Sequence, residues 1–372
     1  MEKENLSLTQ LLALEFIFLL GSSIIMGVGT ELRQNSWIAI AIATVLGTGI
    51  MYLFYTLNEL LPNHNLFEIM EYGFTRPVAI FISVFYIIYF LYISSRLNRD
   101  FVELIATAIL PLTPIEVISL TVMLVIIYIV YLGVEVLARV SEIFFPYLLG
   151  FIFLLIVFLF ASGRIKLQNA QPMLGDGFMP VIKGIFPGLI TFPFGELIVF
   201  TVILSSVTHL KKAKKVVLLG VVMAGFSLTF STAIMLMSLG ADTMEFSIFP
   251  LLSAARKISI ANFIERTDAL VVFIMLLGIL VKSSLFFYAG LKGLEYIFRI
   301  PYRDFTFPIG MTVACFTVWV SANFAEHVEE GLVFVTRYLH PPMQFGIPFL
   351  LLGIILWKTK KRQKANKKST AV

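Results

Sequence analysis

The stretch Gly21-Ser22-Ser23-Ile24-Ile25-Met26-Gly27-Val28-Gly29 interrupts the first apolar run of the chain. A second, Phe192-Pro193-Phe194-Gly195-Glu196, preceded by Pro187-Gly188, interrupts the sixth. Proline removes a backbone donor and blocks the preceding turn, while glycine tolerates the dihedrals of unwound backbone. In a bilayer the freed N–H and C=O groups need partners, so such breaks are tolerable only where the backbone is buried in protein or lines a wet cavity. Close helix packing is the simpler use of Gly21 or Gly27 taken alone. Two breaks at matched positions, each in the first run of a half, instead point to two inverted repeats around a site near the midplane.

The rest of the chain fits that frame. Of its 372 residues 59% are hydrophobic and only 14% charged, against ~25% charged in soluble domains, which excludes a soluble globular protein. A hydrocarbon core of ~30 Å asks for about 20 apolar helical residues per crossing. Ten runs qualify, at about 8–33, 36–60, 77–105, 115–134, 143–163, 181–207, 214–240, 267–298, 304–322 and 342–358. The expectation is an all-α integral membrane protein of one domain, residues 1–372, with ten transmembrane helices and broken helices 1 and 6. Its first repeat covers about 8–163 and its second about 181–358, followed by a basic tail at 358–372. Leu61-Pro62-Asn63, the stretch Leu110 to Pro114, Gly175-Asp176-Gly177 and His340-Pro341-Pro342 read as the punctuation between runs. The outer connection 241–266 has room for a short interfacial helix around Leu251 to Ile258.

Charge placement sets the orientation. The net charge is +5, yet Lys358, Lys360, Lys361, Arg362, Lys364, Lys367 and Lys368 lie together in the tail, which leaves 21 basic against 23 acidic residues elsewhere. A basic excess confined to a tail does not make a nucleic-acid footprint. With the N-terminus inside, the inner connections collect 17 Lys and Arg and the outer ones 8, so both termini are expected in the cytoplasm, with the tail near anionic lipid. No cleavable signal peptide is expected, because the first run follows Glu2, Lys3 and Glu4 and continues too long. The single Cys315 permits no intramolecular disulfide and reads as a small core residue.

A charge at midbilayer needs a partner or water. Lys282 is the deepest, 14 residues past Asp268. Its ammonium either sits against the unwound part of run 1, as a fixed substitute for a bound cation, or pairs with Glu196. Glu196 itself could cap the second half-helix, contact ligand or pair with Lys282. In run 3, Arg96/Asp100 and Arg99/Glu103 are spaced i,i+4, which suggests two structural ion pairs. Tyr86, Tyr89 and Tyr92 share a helical face there, better suited to packing than to ligand contact. The histidines His64, His209, His327 and His340 are all read in loops or at run ends, in no metal-ligand spacing. Walker A, dinucleotide and GxSxG motifs are absent from the sequence, so no cofactor, no metal and no enzyme activity are expected.

A broken helix pair offers free N–H groups on one side and free carbonyls on the other, which suits a zwitterionic amino acid. The expected ligand-binding residues are Gly21, Ser22, Ser23, Ile24 and Gly27 in run 1, and Thr191, Phe192, Phe194, Gly195 and Glu196 in run 6. Lys282, Ser283 and Ser284 complete the set from run 8. Ile24, Ile25, Met26, Phe192 and Phe194 would favour a ligand that is apolar beyond its zwitterion.

Four short motifs, taken in order, resemble a known family: Leu110-Pro111-Leu112-Thr113-Pro114, Gly133-Val134-Glu135-Val136-Leu137-Ala138-Arg139, Phe192 to Glu196, and Glu265-Arg266-Thr267-Asp268. They are similar to the spore germination permeases, the B subunits of nutrient germinant receptors, a branch of the amino acid/polyamine/organocation superfamily. The resemblance implies the ten-helix inverted-repeat fold, a small nutrient ligand (most often an amino acid), A-type and C-type partner subunits, and the inner membrane of a bacterial spore. It also implies that Glu265-Arg266 sits at the outer mouth of run 8. A self-sufficient proton- or cation-coupled amino-acid transporter remains open beside the sensing subunit, because both need the same broken helices.

Overall fold

The computed structural model describes residues 4–175, 177–259 and 267–369. Among them the chain is helical throughout, with a single isolated parallel bridge, Leu6 to Val207, and no sheet. Among the described residues nine helices are long and apolar enough to cross a bilayer, and a bent pair raises the number to ten. They are numbered here as spans: 1, Leu8–Met26; 2, Ser36–Leu60; 3, Arg76–Ala108; 4, Ile115–Leu132; 5, Val134–Ala161. The second half supplies span 6, Met179–Ser206; 7, Leu210–Leu239; 8, Asp268–Phe298; 9, Tyr302–Trp319; and 10, which begins at Phe324 and continues past Lys358.

Both breaks are present in spans 1 and 6. Span 1 starts on a capping box, with Ser7 accepting from the Gln10 N–H and the Gln10 side chain accepting from the Ser7 N–H. Its first helix stops at Leu20, a four-residue helix follows at Ser23–Met26, and Gly27 and Gly29 then take positive φ of 66° and 77°. Only glycine adopts that region without strain, and a side chain on Gly27 would also strike Pro250. Span 6 leaves helical geometry at Phe186 and again at Phe192, within a wide turn from Ile185 to Phe194.

Span 8 anchors the centre of the bundle, with its most extensive interface against span 3. It crosses span 1 backbone to backbone: a Cβ placed on Gly278 would lie 2.5 Å from the Gly21 Cα. Lipid tails are as apolar as leucine, so helices in a membrane associate through such close packing and polar contacts rather than through the hydrophobic effect. Lys282 is one helical turn beyond Gly278, and the crossing delivers its side chain to the break.

The crossing expected at 342–358 is present as Pro342–Lys361, and a further helical stretch from Phe324, outside the expected runs, leads into it. Helical dihedrals continue from Phe324 through His340 and Pro341, and two wide turns, Glu330–Leu339 and Pro342–Gly346, absorb the prolines that had read as a boundary. The helix turns back from span 9 through 110°. The first part of this helix reads as a loop because it is rich in Glu, His and Arg; His327, Glu330 and His340 face protein and Glu329 and Arg337 a cavity, so hydropathy underrates it. Cys315 is also corrected, since it lies on an exposed face of span 9 rather than in the core.

At one end of the bundle a short helix at Pro250–Arg256 stands where one was expected around Leu251 to Ile258, and its Pro250 packs on Gly27. The Glu265-Arg266 pair lies outside the described residues. On the opposite face Lys358 donates to the carbonyls of Tyr72 and Gly73 at 2.8 and 2.9 Å, capping the helix Leu66–Gly73. Prediction: Gly278→Ala drives a methyl into the Gly21 backbone, which has no soft atom to yield. The cost should be about 1–3 kcal/mol, read as a lower unfolding temperature in detergent; an unchanged transition contradicts the close crossing.

Candidate functional site

The two breaks meet through Lys282. Its stem passes Gly21, where an added Cβ would come within 3.2 Å of Lys282 Cδ. Its ammonium lies 2.6 Å from Glu196 Oε2 and over two rings, 4.6 Å from the Phe192 centroid and 5.3 Å from that of Phe18. Both charged side chains are buried, Lys282 at 0% and Glu196 at 2% exposure. The two alternatives for Lys282 thus coincide: the stem occupies the span 1 break and the charge pairs with Glu196. Apart from this ion pair, neither Nζ nor Oε2 has a well-directed hydrogen bond among the described residues.

A cavity opens beside the pair, lined by Met26, Ile93, Arg96, Leu97, Asp100, Phe192, Glu196, Val328, Gly331, Leu332, Val335 and His340. The space open to the centre of a water molecule is about 50 Å³, enough for roughly three to five waters or a compact solute. Phe192, Val328 and Leu332 also line a wider vestibule of about 430 Å³, with Gly29, Glu31, Lys183, Gly188, Glu329 and Arg337 around it. Those three apolar side chains are therefore the partition between the vestibule and the cavity.

Of the residues expected to bind ligand, Phe192 and Glu196 line this cavity, as does Met26. Gly21, Ser22, Ser23, Ile24 and Gly27 are buried at the first break. The hydroxyls of Ser22, Ser23 and Ser284 are buried without a hydrogen-bond partner among the described residues. The Thr191 hydroxyl donates into its own span, to the Pro187 and Gly188 carbonyls. Gly195 presses its backbone against Gln344 of span 10. Two residues face elsewhere: Phe194 fills the notch left by Gly47 in span 2, and Ser283 pairs with Ser94 of span 3 at 2.8 Å.

Span 10 supplies much of the site that the sequence did not reveal. Asp100 pairs with His327 at 2.9 Å and Arg96 with Glu330 at 3.2 Å, so the expected i,i+4 pair Arg96/Asp100 is replaced by two contacts between spans. Arg96 also donates to the His327 carbonyl, in space kept clear by Gly331. Arg99/Glu103 does form, at 2.7 Å. The tyrosine face of span 3 binds the same helix: Tyr86 donates to the Met343 carbonyl, Tyr89 shares a bond with His340 Nδ1 and accepts from Gln344, and Tyr92 donates to Glu330. His327 and His340 are thus buried in the bundle, at 1% and 3% exposure, rather than in loops. Sequence reading also passed over Glu15, a fully buried acid in span 1.

Two broken helices around a buried cavity define a membrane protein with the inverted-repeat fold. A solved structure agrees: Mhp1, a nucleobase-cation-symport-1 family transporter in a closed conformation with bromovinylhydantoin bound, superposes with a TM-score of 0.66 at 12% identity, over 86% of this chain and 73% of that one. The profile of the spore germination protein family matches residues 5–324, and the chain belongs to that family. It is 33% identical to spore germination protein KB of Bacillus subtilis (strain 168) over 368 residues, covering 98% of each chain. Spore germination protein YndE of the same organism is 25% identical over 89% of this chain and 90% of its own. Spore germination protein A2 is 26% identical over 85% of this chain and 86% of its own.

Prediction: Lys282→Ala strands the Glu196 carboxylate in the core, which should cost about 3–5 kcal/mol. Lys282→Met with Glu196→Gln removes both charges and should recover most of the lost stability in a double-mutant cycle. Equal loss in the single and the double variant would show that the two groups are not coupled.

Proposed function

We propose that the protein is the membrane-embedded nutrient-sensing subunit of a spore germinant receptor. It binds a small ligand, an amino acid by the chemistry of the site, in the cavity between the two breaks. The observation that carries this reading is the cavity itself: Arg96, Asp100 and Glu196 place charged residue types of both signs, with His340, on the walls of a mostly apolar pocket that Phe192, Val328 and Leu332 separate from the vestibule. A zwitterion complements walls of both signs, while Met26, Ile93, Leu97 and Val335 suit an apolar side chain. Family membership supports a role in germination, and the relatives carry germination in their names.

In this reading ligand binding favours one of two arrangements of the bundle through its differential affinity for them. The rearrangement passes to A-type and C-type partner subunits in the inner spore membrane, with both termini in the cytoplasm. The transporter of the same fold, whose name includes a bound hydantoin, supports a small organic ligand for this architecture. Sensing needs only the shift between states, whereas a transporter must complete alternating access.

Prediction: the purified chain in liposomes, tested with a panel of labelled amino acids, should bind at least one without accumulating it against a gradient. Sustained uphill uptake would replace the sensing role by coupled transport. Gly21→Leu and Gly195→Leu, which force side chains into Lys282 and Gln344, should abolish that binding while the protein still accumulates. Normal binding in both variants contradicts the site.

A further inference from the structure

Glu15 is a charged residue type set deep in span 1 without any of the compensation given to Lys282 or Arg96. It lies in the helix Leu8–Leu20, is 0% exposed, and neither carboxyl oxygen has a hydrogen-bond partner among the described residues. Its room comes from the neighbouring helix: a Cβ added to Gly220 of span 7 would collide with Oε2. Span 7 is also the helix against which span 1 packs most extensively. The pocket is therefore a glycine niche in one helix fitted to a carboxyl group on another, four helical residues beyond Leu11 and six before the break at Gly21.

The charged groups on the elements packed most closely against span 1 are engaged elsewhere or form no ion pair with Glu15 among the described residues. On span 7, Lys214 lies over the Tyr52 ring, and Lys211, Lys212 and Lys215 sit in the first turns. On span 5, Arg139 pairs with Glu135, and Glu142 is the other charged side chain. On span 8, Lys282 pairs with Glu196 and Lys292 with Glu295, while Asp268 stands at the far end. Arg256 belongs to the short outer helix, at the other end of span 1. An ionised carboxylate buried without a partner is so costly that the group takes up a proton instead.

We propose that Glu15 is a proton-binding site: its carboxylate takes one proton from water, held in the Gly220 niche while spans 1 and 7 are packed together. Parting of the two helices toward the cytoplasm wets the group and returns the proton to water. Opening on that side is then linked to pH, because whatever favours the wet state favours release and the converse. One proton released makes the open population rise by up to tenfold per pH unit.

Two measurements test this on the full chain in lipid nanodiscs. In infrared spectra at neutral pH the wild type should show the carbonyl stretch of a protonated carboxylic acid, sensitive to deuterium exchange, which Glu15→Gln loses and Glu196→Gln keeps. Gly220→Ala, which leaves the acid in place but presses on it, should shift that band, and it serves as the test if Glu15→Gln fails to fold. In a Cys315→Ser background, Val217→Cys reports opening one turn from Gly220 on the same helix face. The ratio of its labelling rate with Glu15 to that with Glu15→Gln, which cancels the thiol's own titration, should climb with pH by up to tenfold per unit. A band unchanged in Glu15→Gln and in Gly220→Ala, or a ratio flat with pH, overturns the proposal.

Discussion

Everything at the centre of this molecule depends on seating one ammonium group in a membrane interior. Lys282 can be there because Gly278 lets span 8 touch the backbone of span 1, because Gly21 leaves a slot for the lysine stem, and because the span 6 break brings Glu196 within 2.6 Å. Each of those three conditions is a local weakness when taken alone: two glycines in helices and a proline-broken turn. Together they lock spans 1, 6 and 8 into one junction, which neither a straight helix nor a larger side chain could form.

Around the junction the polar groups fall into two kinds. Many of those on span 3 and span 10 bind one another, from Tyr86 with Met343 to Asp100 with His327. They fasten one wall of the cavity to another. Those at the breaks are underused: the hydroxyls of Ser22, Ser23 and Ser284 and the directed bonding capacity of the Lys282–Glu196 pair remain open. Buried polar groups ordinarily find partners, and of these open ones only Glu196 also lines the cavity.

Much of the fold was legible in the sequence, because proline and glycine inside an apolar run announce a break and twenty apolar residues announce a crossing. The breaks in spans 1 and 6 and the depth of Lys282 followed from that alone. The first part of span 10 was not legible, since Glu326, His327, Glu330 and His340 lower the hydropathy of a helix that turns His327, Glu330 and His340 toward span 3. The same helix overrode the i,i+4 expectation for Arg96 and Asp100: spacing within one helix says nothing about a better partner on another. Phe194 and Ser283 could not be assigned either, because which way a residue faces depends on the rotation of its span. Glu15 escaped notice because a lone acid in an apolar run carries no spacing signal, and only its packing against Gly220 distinguishes it.

Relatives that match almost the whole chain place it in the spore germination protein family, and the fold shared with a solved transporter arises from the same broken-helix construction. The central claim is that a nutrient occupies the cavity bounded by the breaks and by span 10. Its most direct test is site protection: Val335→Cys in a Cys315→Ser background, labelled by a small thiol reagent in the presence of each common amino acid in turn. The account predicts that at least one amino acid slows labelling at Val335→Cys and leaves a control cysteine at the lipid-facing position of Phe81 unaffected. Labelling that no amino acid slows, or that slows equally at both positions, would contradict it.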